Sequence, residues 1–184
     1  MASGLFTRRD FSANAVALLA GLGISRTAFA TSSNLGSPVF AGNDDVSHNA
    51  ESIHQELVFK AVRKRVYDAI TDGQQFTKST TFSSVKDAPP AEISREVGGP
   101  FKLFAGHIIG RHLELVPNER IVQAWRVVTW EPGIYSMAKF DLEDQGGQTK
   151  LIFDHTGFPN GKGEHLAAGW KENYWEPLAK YLAL

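Results

Sequence analysis

The sequence predicts an α+β fold in which a curved antiparallel β-sheet is wrapped around one long C-terminal helix. Residues 92–156 contain short runs of alternating apolar and polar side chains, separated by turns rich in glycine, as in an antiparallel meander. Residues 163–184 instead repeat apolar side chains every four positions, which indicates a helix with one apolar stripe. This is the only predicted helix long enough to cover a face of the sheet.

The first part of the domain is predicted to be a strand followed by two short helices. Residues 53–60 alternate apolar and polar side chains, whereas residues 63–71 have the apolar spacing of a helix. A weaker helix is expected shortly afterwards, followed by five or six antiparallel strands. The predicted elements run over residues 53–60, 63–71, 74–78, 92–97, 101–104, 107–116, 120–128, 135–142, 149–156 and 163–184.

Three residues are expected to shape these elements. Gly106 and Gly110 have no side chain to pack, which would help the sheet to bend. Pro177 lies inside the C-terminal helix, where proline removes a backbone hydrogen bond and clashes with the preceding turn. We therefore expect a kink in this helix at residues 173–177.

Residues 1–30 have the three-part layout of an export signal. The pair Arg8 and Arg9 resembles the twin-arginine translocation motif and precedes a mildly apolar run. Ala28 and Ala30 fit a small-x-small cleavage site. We therefore expect the twin-arginine translocase to export the chain to the periplasm or beyond it. An uncleaved leader would instead tether the protein to the membrane.

The rest of the chain divides into a linker and one domain. Residues 31–50 are rich in turn-forming residues and have no apolar period, so we expect a flexible linker there. Residues 51–184 form the predicted domain and contain no second apolar run long enough to span a membrane. We expect the domain to be soluble after cleavage, as a monomer or a homodimer.

Composition excludes several classes of function. The chain has no cysteine, which rules out disulfides, thiolate catalysis and cysteine-based zinc sites. Its net charge is −1, and residues 1–30 carry a net charge of +2, so the rest of the chain has a net charge of −3. A chain without excess basic charge outside its export signal is a poor match to nucleic-acid binding, which needs a basic surface. We expect no metal and no cofactor, because no recognisable metal-ligand spacing is present.

Five stretches carry a resemblance to a known family, namely residues 98–104 (GGPFKLF), 106–111 (GHIIGR), 114–126, 153–159 (FDHTGFP) and 169–178. They resemble the family related to the activator of the heat-shock protein 90 ATPase, within the START-like or SRPBCC superfamily. The resemblance implies the superfamily's helix-grip fold, with a cavity between sheet and C-terminal helix. The superfamily includes lipid carriers, hormone receptors, polyketide cyclases and dioxygenase subunits, whereas the family name implies a co-chaperone.

The expected cavity makes aromatic side chains candidate ligand contacts, because ligand pockets are mostly apolar with a few polar anchors. The alternative is that these side chains only fill the core. We expect the domain to bind a hydrophobic or aromatic small molecule without catalysis. The candidate ligand-binding residues are Phe104, His107, Trp125, Trp130, Tyr135, Phe153, His155, Trp170 and Tyr174.

Two other functions stay open. A cyclase- or hydrolase-type enzyme could use His107, Glu114 and His155 for acid–base chemistry, if Glu114 and a histidine reach the same cavity. Their alternative role is structural hydrogen bonding or surface exposure. A chaperone-like interaction domain, as the family name implies, would expose an apolar patch. An inward arginine could also hold a ligand carboxylate, or else form a surface ion pair, and the candidates are Arg111, Arg120 and Arg126.

Overall fold

A computed structural model of the chain describes residues 50–85 and 88–184. The predicted export signal, with Arg8, Arg9, Ala28 and Ala30, lies outside the described residues, as does all but the last residue of the predicted linker. Within the described ranges, no helix combines the length and apolar character that crossing a bilayer requires.

The described residues form an antiparallel sheet, two short helices before most of its strands, and a helical segment after them. In chain order, β1 (Ser52–Phe59) leads into α1 (Arg63–Thr71) and α2 (Gly73–Thr80). The next strands are β2 (Glu92–Ile93), β3 (Pro100–Leu103), β4 (Ile108–Val116), β5 (Arg120–Val127), β6 (Ser136–Asp144) and β7 (Thr149–Thr156). The C-terminal helix consists of α3 (Gly163–Trp170), a π-helical turn (Lys171–Trp175) and α4 (Glu176–Leu182).

Strands β2 to β7 form an antiparallel meander, and β1 joins the edge of the sheet that β7 forms. The strand order of the sheet is β1-β7-β6-β5-β4-β3-β2, so β1 pairs with β7. In this register Phe153 lies opposite both Gln55 and Phe140. Because consecutive side chains of a strand point to opposite faces, each strand directs alternate residues toward the C-terminal helix. The predicted α+β fold, a curved antiparallel sheet with a C-terminal helix, is confirmed.

The core lies between the sheet and the C-terminal helix and is rich in aromatic rings. Trp170 is 1% exposed and packs on Phe153, with ring centroids 4.4 Å apart. Trp175 stacks on Trp170 at 5.5 Å, and Phe140 meets Trp170 edge-on at 5.8 Å. Such ring pairs contribute about 0.5–1.5 kcal/mol each beyond the burial of their surface. Aromatic packing therefore anchors the C-terminal helix on β6 and β7.

The strand predicted over residues 92–97 is much shorter in the structure. β2 ends at Ile93, and the chain then turns toward β3. The Gly99 N–H donates to the Glu96 carbonyl at 2.9 Å, which closes that turn. The apolar–polar alternation therefore continues beyond the point at which strand pairing stops, because glycine-rich turns override a strand-like pattern.

The predicted kink in the C-terminal helix takes the form of a π-helical turn. This turn spans Lys171–Trp175, slightly earlier than the predicted residues 173–177. Pro177 lies in the first turn of α4, after the π-helical turn. Proline is tolerated at such a position, because the first N–H groups of a helix have no regular intrahelical partner.

Gly110 of β4 allows a close approach of two strands and an aromatic ring. A Cβ atom at this position would lie 2.2 Å from both the Ala124 carbonyl oxygen and the Phe101 ring. The Phe101 ring, 2% exposed, therefore lies where a larger residue 110 would place its side chain. Gly106 has a φ of +80°, a conformation that residues with a side chain rarely adopt.

Candidate ligand-binding cavity

A cavity of about 560 Å³ lies between β4, β5 and the C-terminal helix. Its size falls in the range of small-molecule sites, roughly 300–1,000 Å³. Val85 and His107, which are both exposed, mark its open side. The apolar part of its wall is formed by Val85, Phe104, Ile108, Trp125, Val127, Leu166, Trp170 and Tyr174.

Aromatic rings form the inner wall of this cavity. Trp170 and Tyr174 lie four residues apart on the C-terminal helix, which places both side chains on one face. Their ring centroids are 4.2 Å apart, and Tyr174 also meets Phe104 at 5.3 Å. Trp125 of β5 packs on Trp170 at 5.4 Å. Since each ring is held by its neighbours, the wall is largely formed before any ligand arrives.

The Tyr174 hydroxyl is a polar group within this aromatic wall. Its oxygen accepts a hydrogen bond from Nε1–H of Trp125, with a donor–acceptor distance of 3.5 Å. Burial raises the pKa of Tyr174 above its ordinary value, so the phenol stays protonated at neutral pH. An indole N–H can only donate, so Trp125 cannot accept the phenol hydrogen of Tyr174.

His155 lies directly behind the aromatic wall and is fully buried. Its Nδ1 accepts a hydrogen bond from Nε1–H of Trp170 at 3.0 Å, and its Nε2 lies 2.7 Å from Oγ of Ser136. Because the indole only donates, the proton of the neutral imidazole must be on Nε2, which donates to Ser136. Ser136 then donates to the Trp125 carbonyl at 2.8 Å. Burial lowers the pKa of His155 to about 4, which keeps the ring neutral.

Polar side chains surround the open side of the cavity. Oγ of Ser84 donates to Oδ1 of Asn173 at 3.3 Å, and the Asn173 amide donates to the Gly169 carbonyl at 3.2 Å. None of the described residues that line the cavity is a lysine or an arginine. A buried carboxylate ligand would therefore lack a permanent countercharge, which favours a neutral ligand. The exposed polar lining residues are Ser84, His107, His165 and Glu172.

The family model described as "Activator of Hsp90 ATPase homolog 1-like protein" matches residues 60–183. The chain belongs to this family. Residues 60–183, called the activator-homolog domain from here on, include every residue that lines the cavity.

Curated relatives of the activator-homolog domain are longer proteins. The chain is 29% identical over 136 residues to "Activator of 90 kDa heat shock protein ATPase homolog 2" of Mus musculus, covering 72% of this chain and 38% of that protein. It is 31% identical over 89 residues to homolog 1 of Homo sapiens, covering 48% of this chain and 26% of that protein. The chain thus spans well under half the length of these relatives.

Solved structures share the fold of the activator-homolog domain. An HSP90 activator from Plasmodium falciparum aligns with a TM-score of 0.65 at 25% identity, covering 72% of this chain and 96% of that one. CalU16 from Micromonospora echinospora aligns with a TM-score of 0.59 at 21% identity, covering 73% and 77%. The predicted START-like helix-grip fold agrees with these neighbours.

Several of the predicted ligand contacts line the cavity of the activator-homolog domain, namely Phe104, His107, Trp125, Trp170 and Tyr174. Phe153 and His155 are instead fully buried behind the wall. Trp130 packs edge-on against Trp125, with ring centroids 5.6 Å apart, and supports the wall from outside the cavity. Tyr135 is 46% exposed, and the Arg126 guanidinium lies over its ring at 5.5 Å.

The candidate acid–base residues are not brought together. Glu114 lies 3.6 Å from Arg120 on the face of the sheet that points away from the C-terminal helix. His107 is at the mouth of the cavity and His155 is sealed behind its wall. The geometry required for the enzyme hypothesis, with Glu114 and a histidine in one cavity, is therefore not met. In the part of the chain that the structure describes, no group of three or more histidine and carboxylate side chains is placed to hold a metal ion.

The candidate arginines contact protein groups away from the cavity. Arg126 is 8% exposed, and its guanidinium donates to the backbone carbonyls of Val127, Val128 and Trp130. It therefore holds the loop that carries Trp130. Arg111 donates to the Gly98 carbonyl at 3.0 Å, and Arg120 donates to Asp141 at 2.6 Å.

Sequence reasoning missed the row of residues beside the apolar stripe, on the cavity side of the C-terminal helix. His165, Gly169 and Asn173 are spaced four residues apart, beside the apolar stripe that contains Leu166 and Trp170. Extending the helical period by one position would have found them. Ser84 had no such signal, because only the tertiary fold brings the segment after α2 against the C-terminal helix.

Proposed function

We propose that the activator-homolog domain binds a neutral, hydrophobic small molecule in the cavity between sheet and C-terminal helix, without catalysing a reaction. The observation that carries this proposal is the aromatic cavity of about 560 Å³ with no lysine or arginine in its described lining. Apolar ligands gain free energy in proportion to the apolar surface that they bury. A wall of mutually packed rings also reduces the cost of ordering side chains on binding.

Gly169 lines the cavity and offers a direct test of this proposal, because a Cβ atom added there meets no atom within 4 Å beyond the neighbouring backbone of its own helix. The Gly169→Phe variant should place its ring in the cavity without a backbone clash. We expect wild-type protein to bind a neutral solvent-sensitive dye such as Nile red in a saturable manner. The variant should bind it at least about tenfold more weakly, as loss of roughly 1.4 kcal/mol or more of contact would give. Fluorescence titration measures both affinities.

Gly169→Ala is the matched control for this experiment. It should keep dye binding and raise the free energy of unfolding by about 0.5–1 kcal/mol, since alanine is the better helix former. Unfolding in urea checks that both variants fold. If folded Gly169→Phe binds the dye as tightly as wild type, the dye lies elsewhere and the proposed cavity function is wrong.

A second candidate function is docking to a protein partner, as the names of the curated relatives suggest. Two observations favour it: the family match over residues 60–183, and apolar side chains on the sheet face that points away from the C-terminal helix. Leu113 and Met137 are 47% and 49% exposed on that face. The chain covers only 38% and 26% of those two relatives. A role with heat-shock protein 90 is therefore only a proposal for this chain.

The compartment in which the ligand is bound is also a proposal. The support for export is the sequence of residues 1–30, with its twin arginines and small-x-small site. An exported domain would meet its hydrophobic ligand in the periplasm or beyond it. There it would not share a compartment with heat-shock protein 90, as a co-chaperone must.

A further inference from the structure

The hydrogen-bonding state of Tyr174 restricts which ligands suit the cavity. A phenol has one donor hydrogen and two acceptor lone pairs. Nε1–H of Trp125 donates into one of those lone pairs at 3.5 Å. Within residues 50–85 and 88–184, the phenol hydrogen makes no hydrogen bond to a protein acceptor. The cavity wall therefore presents a donor, and its own indole cannot serve as the acceptor.

The surroundings of this hydroxyl favour a ligand that carries an acceptor. The Tyr174 ring is flanked by Trp170 at 4.2 Å, Phe104 at 5.3 Å and Phe76 at 5.6 Å. A ligand that fills the cavity displaces water from this donor, and a donor left without an acceptor loses free energy. A ligand that brings an acceptor to this point recovers that free energy, whereas a pure hydrocarbon does not.

The charges around the cavity decide which kind of acceptor fits. A carboxylate would accept from the phenol, but the lining described for the cavity supplies no lysine or arginine to neutralise it. Glu172 at the open side would also repel an anion. A neutral acceptor, such as a ketone or quinone carbonyl, meets both conditions.

We propose that the Tyr174 hydroxyl selects ring-bearing ligands that carry a neutral carbonyl acceptor at the end that enters the cavity first. This inference rests on the proposed binding function and names the ligand class for the same site. The rings of the ligand would lie against Trp170 and Phe104, and its carbonyl oxygen would accept the Tyr174 hydrogen.

Fluorenone and fluorene test this inference, because they share one ring skeleton and differ in the carbonyl. Displacement of Nile red gives the affinity of each compound for wild type and for Tyr174→Phe. The ratio of fluorenone affinity to fluorene affinity should fall about three- to tenfold in Tyr174→Phe, the effect of one buried hydrogen bond. Tyr181→Phe is the matched control, since Tyr181 lies on α4 outside the cavity lining, and its ratio should equal that of wild type.

The outcomes separate this inference from the proposed function. If neither compound binds wild-type protein, the cavity function and the ligand class both fail. If both bind and the ratio is unchanged in Tyr174→Phe, only the role of Tyr174 is wrong. The carbonyl stretching frequency of fluorenone bound to wild type tests the proposed hydrogen bond even if the variant does not fold. A frequency below that in an alkane supports the hydrogen bond, and a frequency equal to it overturns the inference.

Discussion

Replacing His155 with alanine is expected to lower the free energy of unfolding by about 3–5 kcal/mol. The fully buried imidazole accepts from Trp170 at 3.0 Å and bonds Ser136 at 2.7 Å. Alanine would leave the buried indole N–H without an acceptor and would open a cavity next to the Trp125 ring, 5.0 Å from the imidazole. Both effects loosen the packing around Trp170, which anchors the C-terminal helix on the sheet. Urea unfolding followed by circular dichroism measures the loss.

His54→Ala is the matched control for this prediction. His54 also bonds a side chain, Asp154 at 2.7 Å, but this pair is exposed on the outer side of the sheet. Exposed side-chain pairs contribute about 0–1 kcal/mol whether or not they are charged, so the loss should be small. A loss below about 1 kcal/mol for His155→Ala, comparable to a surface change, would show that the His155 network does not stabilise the fold.

Acidification is expected to remove about 3 kcal/mol of stability as the pH falls from about 6.5 to about 4. Burial lowers the pKa of His155 from 6.5 to about 4 in the folded state. Between these values the unfolded chain binds the proton and the folded chain does not, so protons favour unfolding. The stability that neutral His155 contributes is therefore fully present above the unfolded-state pKa and is lost as the pH falls to the folded-state pKa. Burial also lowers the pKa of His112, which acts in the same direction.

Carboxylates act in a lower pH window and can be separated from this effect. Burial raises the pKa values of Asp68 and Asp141, but hydrogen bonds from lysine and arginine side chains outweigh it and hold both below the ordinary 3.8. Hydrogen bonds from His54 and Lys139 likewise lower the pKa of Asp154. Their contribution is present above that value and is lost only as the pH falls below it. Unfolding free energies at pH 7, 5.5 and 4.5 should fall for wild type and fall less for His155→Gln, which cannot gain this proton. Equal slopes for both proteins would contradict the assignment.

Local patterns predicted most of the fold because they coincide with tertiary contacts here. The helix over residues 63–71 and the strand over residues 149–156 begin and end as predicted. Their apolar spacing is the spacing that packs into the core. The strand over residues 92–97 was wrong in its length, since a turn at Gly99 ends the pairing while the side-chain pattern continues.

The site was harder to predict, because it depends on which way each side chain points. Phe153 and His155 are two residues apart on β7 and share its inward face, but only the register shows that both lie behind the wall. Glu114 follows an irregularity in the pairing of β4 after His112. A bulge of this kind reverses the side-chain alternation, so the strand pattern cannot assign its face.

The indole N–H signals of the tryptophans give the most direct test of ligand binding in the cavity. Trp125 lines the cavity, whereas Trp175 lies outside its lining and donates to Gln55 at 2.6 Å. Titration of ¹⁵N-labelled protein with fluorenone should shift the Trp125 signal in a saturable manner and leave the Trp175 signal in place. An unchanged Trp125 signal at ligand concentrations that displace Nile red, or an equal shift at Trp175, would contradict binding in this cavity.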